Sequence, residues 1–87
     1  MNLLSSFKKI FILGIGGSGM SSIAKYLKQK GHDVEGYDQR ISYITNLLES
    51  DGVKTFQNLD DFKYQKDVLY IISSAINLED TFLADYN

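Results

Sequence analysis

Four of the six residues from position 14 to position 19 are glycine, in the run Gly14-Ile15-Gly16-Gly17-Ser18-Gly19-Met20. The string contains G-x-G-x-x-G, and its surroundings give it meaning: an apolar run stops at Gly14 and a helix-period pattern opens at Ser18. In that setting Gly14 turns the chain sharply off a strand. Gly16 leaves no Cβ where a phosphate approaches the backbone, and Gly19 lets the helix pack closely on the sheet. The first N–H groups of the helix have no intrahelical partner, and they carry the positive end of the helix dipole. Gly17 adds a further bare position, and Ser18 can donate its hydroxyl. A tight turn without ligand is the plainer alternative, weakened by the chain entropy that so many glycines cost. The G-K-[ST] ending of a P-loop is absent.

Two further places carry polar groups toward the same region. Asp38 stands 19 residues beyond Gly19, just past a second apolar run. A carboxylate there accepts hydrogen bonds from ribose hydroxyls or a ring N–H. Gln39 and Arg40 follow it, and the arginine leaves a phosphorylated ribose open as a ligand. Ser73, Ser74 and Ala75 close the last apolar run, offering two hydroxyls to nucleotide or phosphate oxygens. No nucleophile–base pair can be named, so no catalytic residue is assigned. Asp60-Asp61 and Glu79-Asp80 have no histidine or third carboxylate in sequence reach, so no metal site is assigned either. His32, the single histidine, lies between a helix and a strand, at the end of the sheet away from the other polar groups.

The elements that must position these groups are legible from periodicity. Residues 1–7 read as a lead-in. Residues 9–13 form a short run rich in Ile and Phe, the pattern of a strand buried on both faces. A helix over 18–30 places Met20, Ile23, Ala24 and Leu27 on one stripe and stops at Gly31. A strand at 33–37 is followed by a helix at 42–50, with Ser42 as N-cap, Ile44, Leu47 and Leu48 buried, and Gly52 as stop. A third strand falls at 53–56. Residues 58–66 are polar, anchored by Leu59 and Phe62, with room for one helical turn. A fourth strand runs over 68–72, and 78–86 suggests a final helix. Alternating strands and helices predict a parallel sheet with helices on its faces. Right-handed crossovers give the order 3-2-1-4. The expected fold is an α/β, Rossmann-like three-layer sandwich of about four strands. The crevice lies at the carboxyl ends of strands one and four, where the winding reverses.

Bulk properties narrow the function. A length of 87 residues predicts one domain, and 44% apolar with 23% charged residues argues against disorder. The net charge of -2 and the lack of a basic cluster exclude a nucleic-acid binder. No cysteine is present, which removes disulfides and thiolate chemistry and fits a cytoplasmic location. Lys8-Lys9 and the apolar run after them do not make a leader peptide, because Gly14, Gly16 and Gly17 break the run. No stretch approaches the ~20 apolar residues of a membrane helix. The strand at 68–72 would leave an exposed apolar edge, which predicts dimerisation or cover by the C-terminal segment.

These motifs together resemble a known family. K-I-F-I-L-G-I-G-G-S-G-M-S-S-I-A at 9–24 resembles the opening of the Mur ligases, in particular the alanine-adding members, which begin with a strand, G-I-G-G-x-G-M-S and a helix. Residues 31–38 resemble the family's second strand ending in aspartate. Residues 67–76, with Ser73-Ser74-Ala75-Ile76, resemble its V-V-x-S-S-A-I segment. The resemblance runs from about residue 8 to residue 80. It implies a part in building the peptidoglycan peptide in the bacterial cytoplasm. Such ligases use ATP and magnesium to form an acyl phosphate on the UDP-N-acetylmuramate carboxylate, which the amine of L-alanine attacks. Their N-terminal domain holds the UDP part, a central domain holds ATP, and a C-terminal domain closes over the site. By this match Gly16, Gly17, Ser18, Gly19 and Met20 cradle the diphosphate, with Gly14 and Ile15 leading into the turn. Asp38, with Gln39 beside it, approaches the uridine, and Ser73, Ser74 and Ala75 line the same crevice.

The G-T-x-G-K-[ST] loop is absent, the family's fifth strand falls outside the 87 residues, and Tyr37 stands where a small residue is usual. The expectation is therefore a UDP-sugar-binding fragment of a longer ligase, needing no cofactor of its own and inactive alone. A regulatory NAD-binding module and the front half of a dehydrogenase share the glycine loop and following acid. Within the family, the ligase that recycles muramoyl tripeptide is the nearest alternative.

Overall fold

The computed structural model describes residues 3–86. Of the lead-in, residues 1 and 2 lie outside the described residues, and Leu3–Ser6 makes a 3-10 turn. The first strand, β1 (Lys9–Leu13), has side chains alternating between two different environments, as strand geometry requires. Ile10 and Ile12 pack into a cluster with Ala24, Leu27, Val34, Leu48 and Val53. Phe11 and Leu13 point the other way, against Val68 and Leu83. Neither set touches solvent appreciably, which is why the run carries no polar residue after Lys9.

Around β1 the chain lays down α1 (Ser18–Gln29), β2 (Val34–Tyr37), α2 (Tyr43–Ser50), β3 (Lys54–Phe56) and β4 (Val68–Ile72). The sheet order is β3-β2-β1-β4, and every pairing is parallel. Topology and strand positions match the sequence reading, with boundaries moved by a residue at the starts of β2 and β3 and the end of α1. Ser42 caps α2 through a reciprocal pair: its hydroxyl accepts from the Thr45 amide, and the Thr45 hydroxyl accepts from the Ser42 amide. Gly31 and Gly52 follow the two helices with φ of 92° and 88°, as helix stops do.

The expected helical stripes are narrower than periodicity suggested. Ala24 and Leu27 are buried, but Ile23 keeps 40% of its surface. In α2, Leu48 is buried while Leu47 is 46% exposed and Thr45 takes its place at 1%. Thr45 tolerates burial because its hydroxyl is satisfied, donating to the Ser42 carbonyl and accepting the Ser42 amide.

The third layer also differs from expectation. Both helices cover the Ile10–Ile12 face, and the Phe11–Leu13 face is covered by irregular chain after β3 and after β4. The anticipated helix over 78–86 is two 3-10 turns, Leu78–Asp80 and Ala84–Tyr86. Thr81 separates them in an extended conformation, donating its hydroxyl to the Leu78 carbonyl and accepting the Leu83 amide. Such local bonds compete with helix continuation, and they aim Phe82 and Leu83 at the sheet. Leu59 and Phe62 anchor the 58–66 segment as expected, through a turn closed by the Phe62 amide on the Leu59 carbonyl rather than a helix.

Aromatic rings fill this face. Phe11 has Phe62 at 5.0 Å, Tyr70 at 6.1 Å, Phe56 at 6.3 Å and Phe82 at 6.4 Å between centroids. Aromatic pairs of this kind contribute roughly 0.5–1.5 kcal/mol beyond area burial. The C-terminal segment thus covers the face next to β4, but no backbone hydrogen bond joins it to the outer edge of β4 among the described residues.

Leu83 is 4% exposed and joins this core from a segment without regular structure. Leu83→Ala should lower the unfolding free energy by about 2–5 kcal/mol in urea denaturation. A loss below about 0.5 kcal/mol would show that residues 77–86 are not integral to the fold. Burial raises the Tyr70 phenol above its ordinary 10.0, although the Gln65 amide donated to its oxygen works against this. A raised folded value makes its stabilising contribution complete below pH 10 and lost as pH climbs through that value. Alkaline unfolding curves should therefore fall more steeply for the wild type than for Tyr70→Phe; parallel curves would contradict this.

Candidate functional site

The chain leaves β1 through Gly14, whose φ is +85°. The conformation favours glycine, and so does the space, because a Cβ there would lie 2.7 Å from the Ser73 Cβ. The ends of β1 and β4 meet at this point, and the Ser73 amide extends their ladder by donating to the Leu13 carbonyl at 3.0 Å.

The amides of the turn can be followed one by one. Gly14 and Ile15 both donate to the Tyr37 carbonyl, at 2.8 and 3.0 Å. Gly16 donates to Asp38 Oδ2 at 2.8 Å. Gly17 donates to the Gly14 carbonyl at 3.1 Å. All four N–H groups of residues 14–17 are spent inside the protein. The next three, on Ser18, Gly19 and Met20, open α1, whose N-cap Gly17 supplies no side-chain acceptor. These are the donors left for an external anion, at the positive end of the α1 dipole. At the start of α2, by contrast, Ser42 and Thr45 supply their own acceptors.

Two of the glycine roles assigned from sequence change. Gly19 was expected to admit close helix–sheet packing, yet a Cβ there would meet nothing within 4 Å. Its bareness instead leaves the first turn of α1 open. The close approach is made by Gly36 in β2, where a Cβ would collide with the Ile15 side chain and lie 2.5 Å from the Ile12 carbonyl. A glycine inside a strand pattern was the available signal. At Gly16 a Cβ would lie 2.7 Å from Asp38 Oδ2 and 3.2 Å from Thr45 Cγ2, so protein atoms fill the space assigned to a phosphate.

Asp38 is half-buried and faces the glycine turn. Besides Gly16, it accepts the Arg40 amide on Oδ1 at 3.0 Å, and its own amide donates to the Phe56 carbonyl. Ser73 is also half-buried; its hydroxyl accepts the Ala75 amide at 3.2 Å, and its carbonyl accepts the Ile76 amide. Ser74 and Ala75 are left exposed at the tip of this turn. His32 precedes β2 at the far end of the sheet, as its sequence position implied. Among the described residues no group of three His, Cys, Asp or Glu could hold a metal ion.

A cleft of about 440 Å³ opens beside the same strand ends. Gln39 and Ala75 line it, as does Tyr37, together with Gln57, Asn58 and Asn77, which sequence reasoning passed over. The signal was present: amide side chains standing just past strand ends, where α/β ligands bind. Gly14–Met20, Asp38, Ser73 and Ser74 are not among its lining residues. The proposed site residues therefore fall into two neighbouring groups, one at the start of α1 and one at the cleft.

Comparison with known sequences gives the family. The model of the Mur ligase family, catalytic domain, matches residues 9–85. The chain belongs to the Mur ligase family. This Mur ligase chain is 31% identical over 86 residues to the UDP-N-acetylmuramate–L-alanine ligase of Christiangramia forsetii, covering 99% of the chain and 18% of that relative. It is 42% identical to the enzyme of the same name from Rickettsia felis, covering 86% of the chain and 17% of the relative. With that of Caldicellulosiruptor saccharolyticus it shares 40% identity over 78% of the chain and 15% of the relative. The chain thus spans less than a fifth of the length of these relatives.

The contrasting surroundings of Gly14 and Gly19 can be measured. In this Mur ligase chain Gly14→Ala should cost at least about 1–2 kcal/mol, from the left-handed backbone and the Ser73 contact. Gly19→Ala should be neutral or stabilising by up to about 1 kcal/mol, since a helix gains from alanine where space is open. Equal effects in urea unfolding would refute the described turn.

Proposed function

We propose that this chain binds the UDP end of UDP-N-acetylmuramate for a ligase that joins L-alanine to it in peptidoglycan synthesis. The observation that carries the reading is the trio of uncapped amides on Ser18, Gly19 and Met20, beside a turn whose own amides are all spent. A diphosphate supplies the acceptors they lack and the negative charge the helix dipole favours. The uridine then crosses the ends of β1 and β2 past Ser73, Ser74 and Asp38 toward the cleft. There Gln39, Gln57, Asn58 and Asn77 offer both donors and acceptors to a base edge or ribose. The names of the relatives favour the alanine-adding reaction over the recycling of muramoyl tripeptide.

ATP and magnesium do not fit these residues: the sequence has no lysine-bearing phosphate loop, and no group of three His, Cys, Asp or Glu among the described residues could hold a metal ion. Held elsewhere in a longer ligase, ATP would supply the activation of the muramoyl carboxylate toward an amine. No step of that chemistry is assigned to this chain, whose part is to hold and orient the substrate. The reading carries with it the cytoplasmic location that the family resemblance implies; among the described residues no helix is long and apolar enough to cross a membrane.

Amide NMR of the wild-type chain tests the reading. Titration with UDP-N-acetylmuramate should shift the Ser18, Gly19 and Met20 amides, while NAD leaves them in place. Shifts with NAD and none with UDP-N-acetylmuramate would overturn the proposal in favour of a dinucleotide-binding module.

A further inference from the structure

We infer that Asp38 is a positioning residue for the anion site: its carboxylate takes the Gly16 amide and so fixes the turn from which α1 presents its free donors. The inference rests on the diphosphate reading above for its ligand, but its geometry is independent of any ligand. Of the four amides in residues 14–17, three end on backbone carbonyls of Gly14 and Tyr37. Only Gly16 depends on a side chain, at 2.8 Å from Asp38 Oδ2. Without that acceptor the Gly16 amide would be free to turn outward, and with it the start of α1. Asp38 is itself held: the Arg40 amide binds Oδ1, and its own amide is tied to the Phe56 carbonyl at the end of β3.

Charge alone does not account for this placement. A carboxylate beside a diphosphate is repulsive, so its use here is as a fixed acceptor and not as an attraction. The glycine at position 16 follows from the same contact, since a Cβ would lie 2.7 Å from Oδ2 and 3.0 Å from Cγ. The requirement for glycine is set by the aspartate and Thr45, whatever the phosphate does.

Two neutral variants separate acceptor from charge. Asp38→Asn keeps an oxygen for the Gly16 amide; Asp38→Ala keeps none, and both lose the charge. Titrations use UDP and inorganic pyrophosphate, which has no nucleoside for Asp38 to touch. Asp38→Asn should bind pyrophosphate at least as tightly as wild type, and Asp38→Ala should bind both probes at least about fivefold more weakly than Asp38→Asn. In the ligand-free protein the Gly16 amide should exchange with solvent about tenfold or more faster in Asp38→Ala and stay protected in Asp38→Asn. Gly16→Ala, which displaces the intact carboxylate, should behave as Asp38→Ala does, and it serves where Asp38→Ala does not fold. Equal pyrophosphate affinity in Asp38→Asn and Asp38→Ala, or a loss confined to UDP, would overturn the inference. A wild type that binds neither probe would defeat the diphosphate reading, while Gly16 exchange in the free protein would still decide the role of Asp38.

Discussion

A central parallel strand has neighbours on both edges and layers on both faces, so every atom of it must be accommodated without water. β1 is that strand. Its registers with β2 and β4 place Leu13 level with Tyr37 and Ile72, so three strands finish at one line. Whatever leaves that line must find acceptors for its amides at once. The glycine turn is the solution: it folds back on Tyr37 and Asp38 and delivers the chain into α1 with three donors left over. The burial of β1 and the unspent amides of α1 are two ends of one backbone accounting.

The two faces of the sheet are built by different means, and the site inherits the difference. On one face α1 and α2 make an aliphatic seam through Ala24, Leu27 and Leu48. That face presents a helix terminus, a rigid set of donors with a dipole behind it. On the other, Phe11 gathers Phe62 and Phe82 from segments that form no regular structure, beside Phe56 at the end of β3. The loops that follow β2, β3 and β4 carry amide side chains, and Gln39, Gln57, Asn58 and Asn77 line the cleft together with Tyr37 at the end of β2. A ligand with a charged middle and a hydrogen-bonding base matches this division of labour.

No basic side chain is placed at the turn by any hydrogen bond or ion pair of the described residues. The closely paired cations, Lys8 with Asp67 and Lys9 with Glu35, sit at the amino ends of β1 and β4. With a net charge of -2, the protein offers an anion no long-range attraction. On the proposed reading, recognition of a diphosphate depends on short-range hydrogen bonds whose direction is fixed in advance. This makes the geometry of the turn, more than the electrostatic potential of the surface, the quantity that decides affinity. The same reading accommodates a carboxylate so near the proposed anion site.

Local sequence determined most of the framework. The apolar runs at 9–13 and 68–72, the Ser42 cap and the stops at Gly31 and Gly52 act within a few residues of themselves, so they are readable one segment at a time. Strand order followed from the handedness of crossovers, and the site's general place from where the winding reverses. Tertiary structure decided what depends on residues far apart in the chain. It gave Gly16 to Asp38, gave the close sheet contact to Gly36 instead of Gly19, and buried Thr45 where Leu47 was expected. It broke the last predicted helix into turns because Phe82 and Leu83 had to reach Phe11 and its neighbours. It brought Gln57, Asn58 and Asn77 beside Gln39, a meeting no spacing announces. Periodicity and caps are properties of neighbours in sequence, whereas the direction of an amide or the filling of a bare Cα is set by whichever distant side chain arrives there.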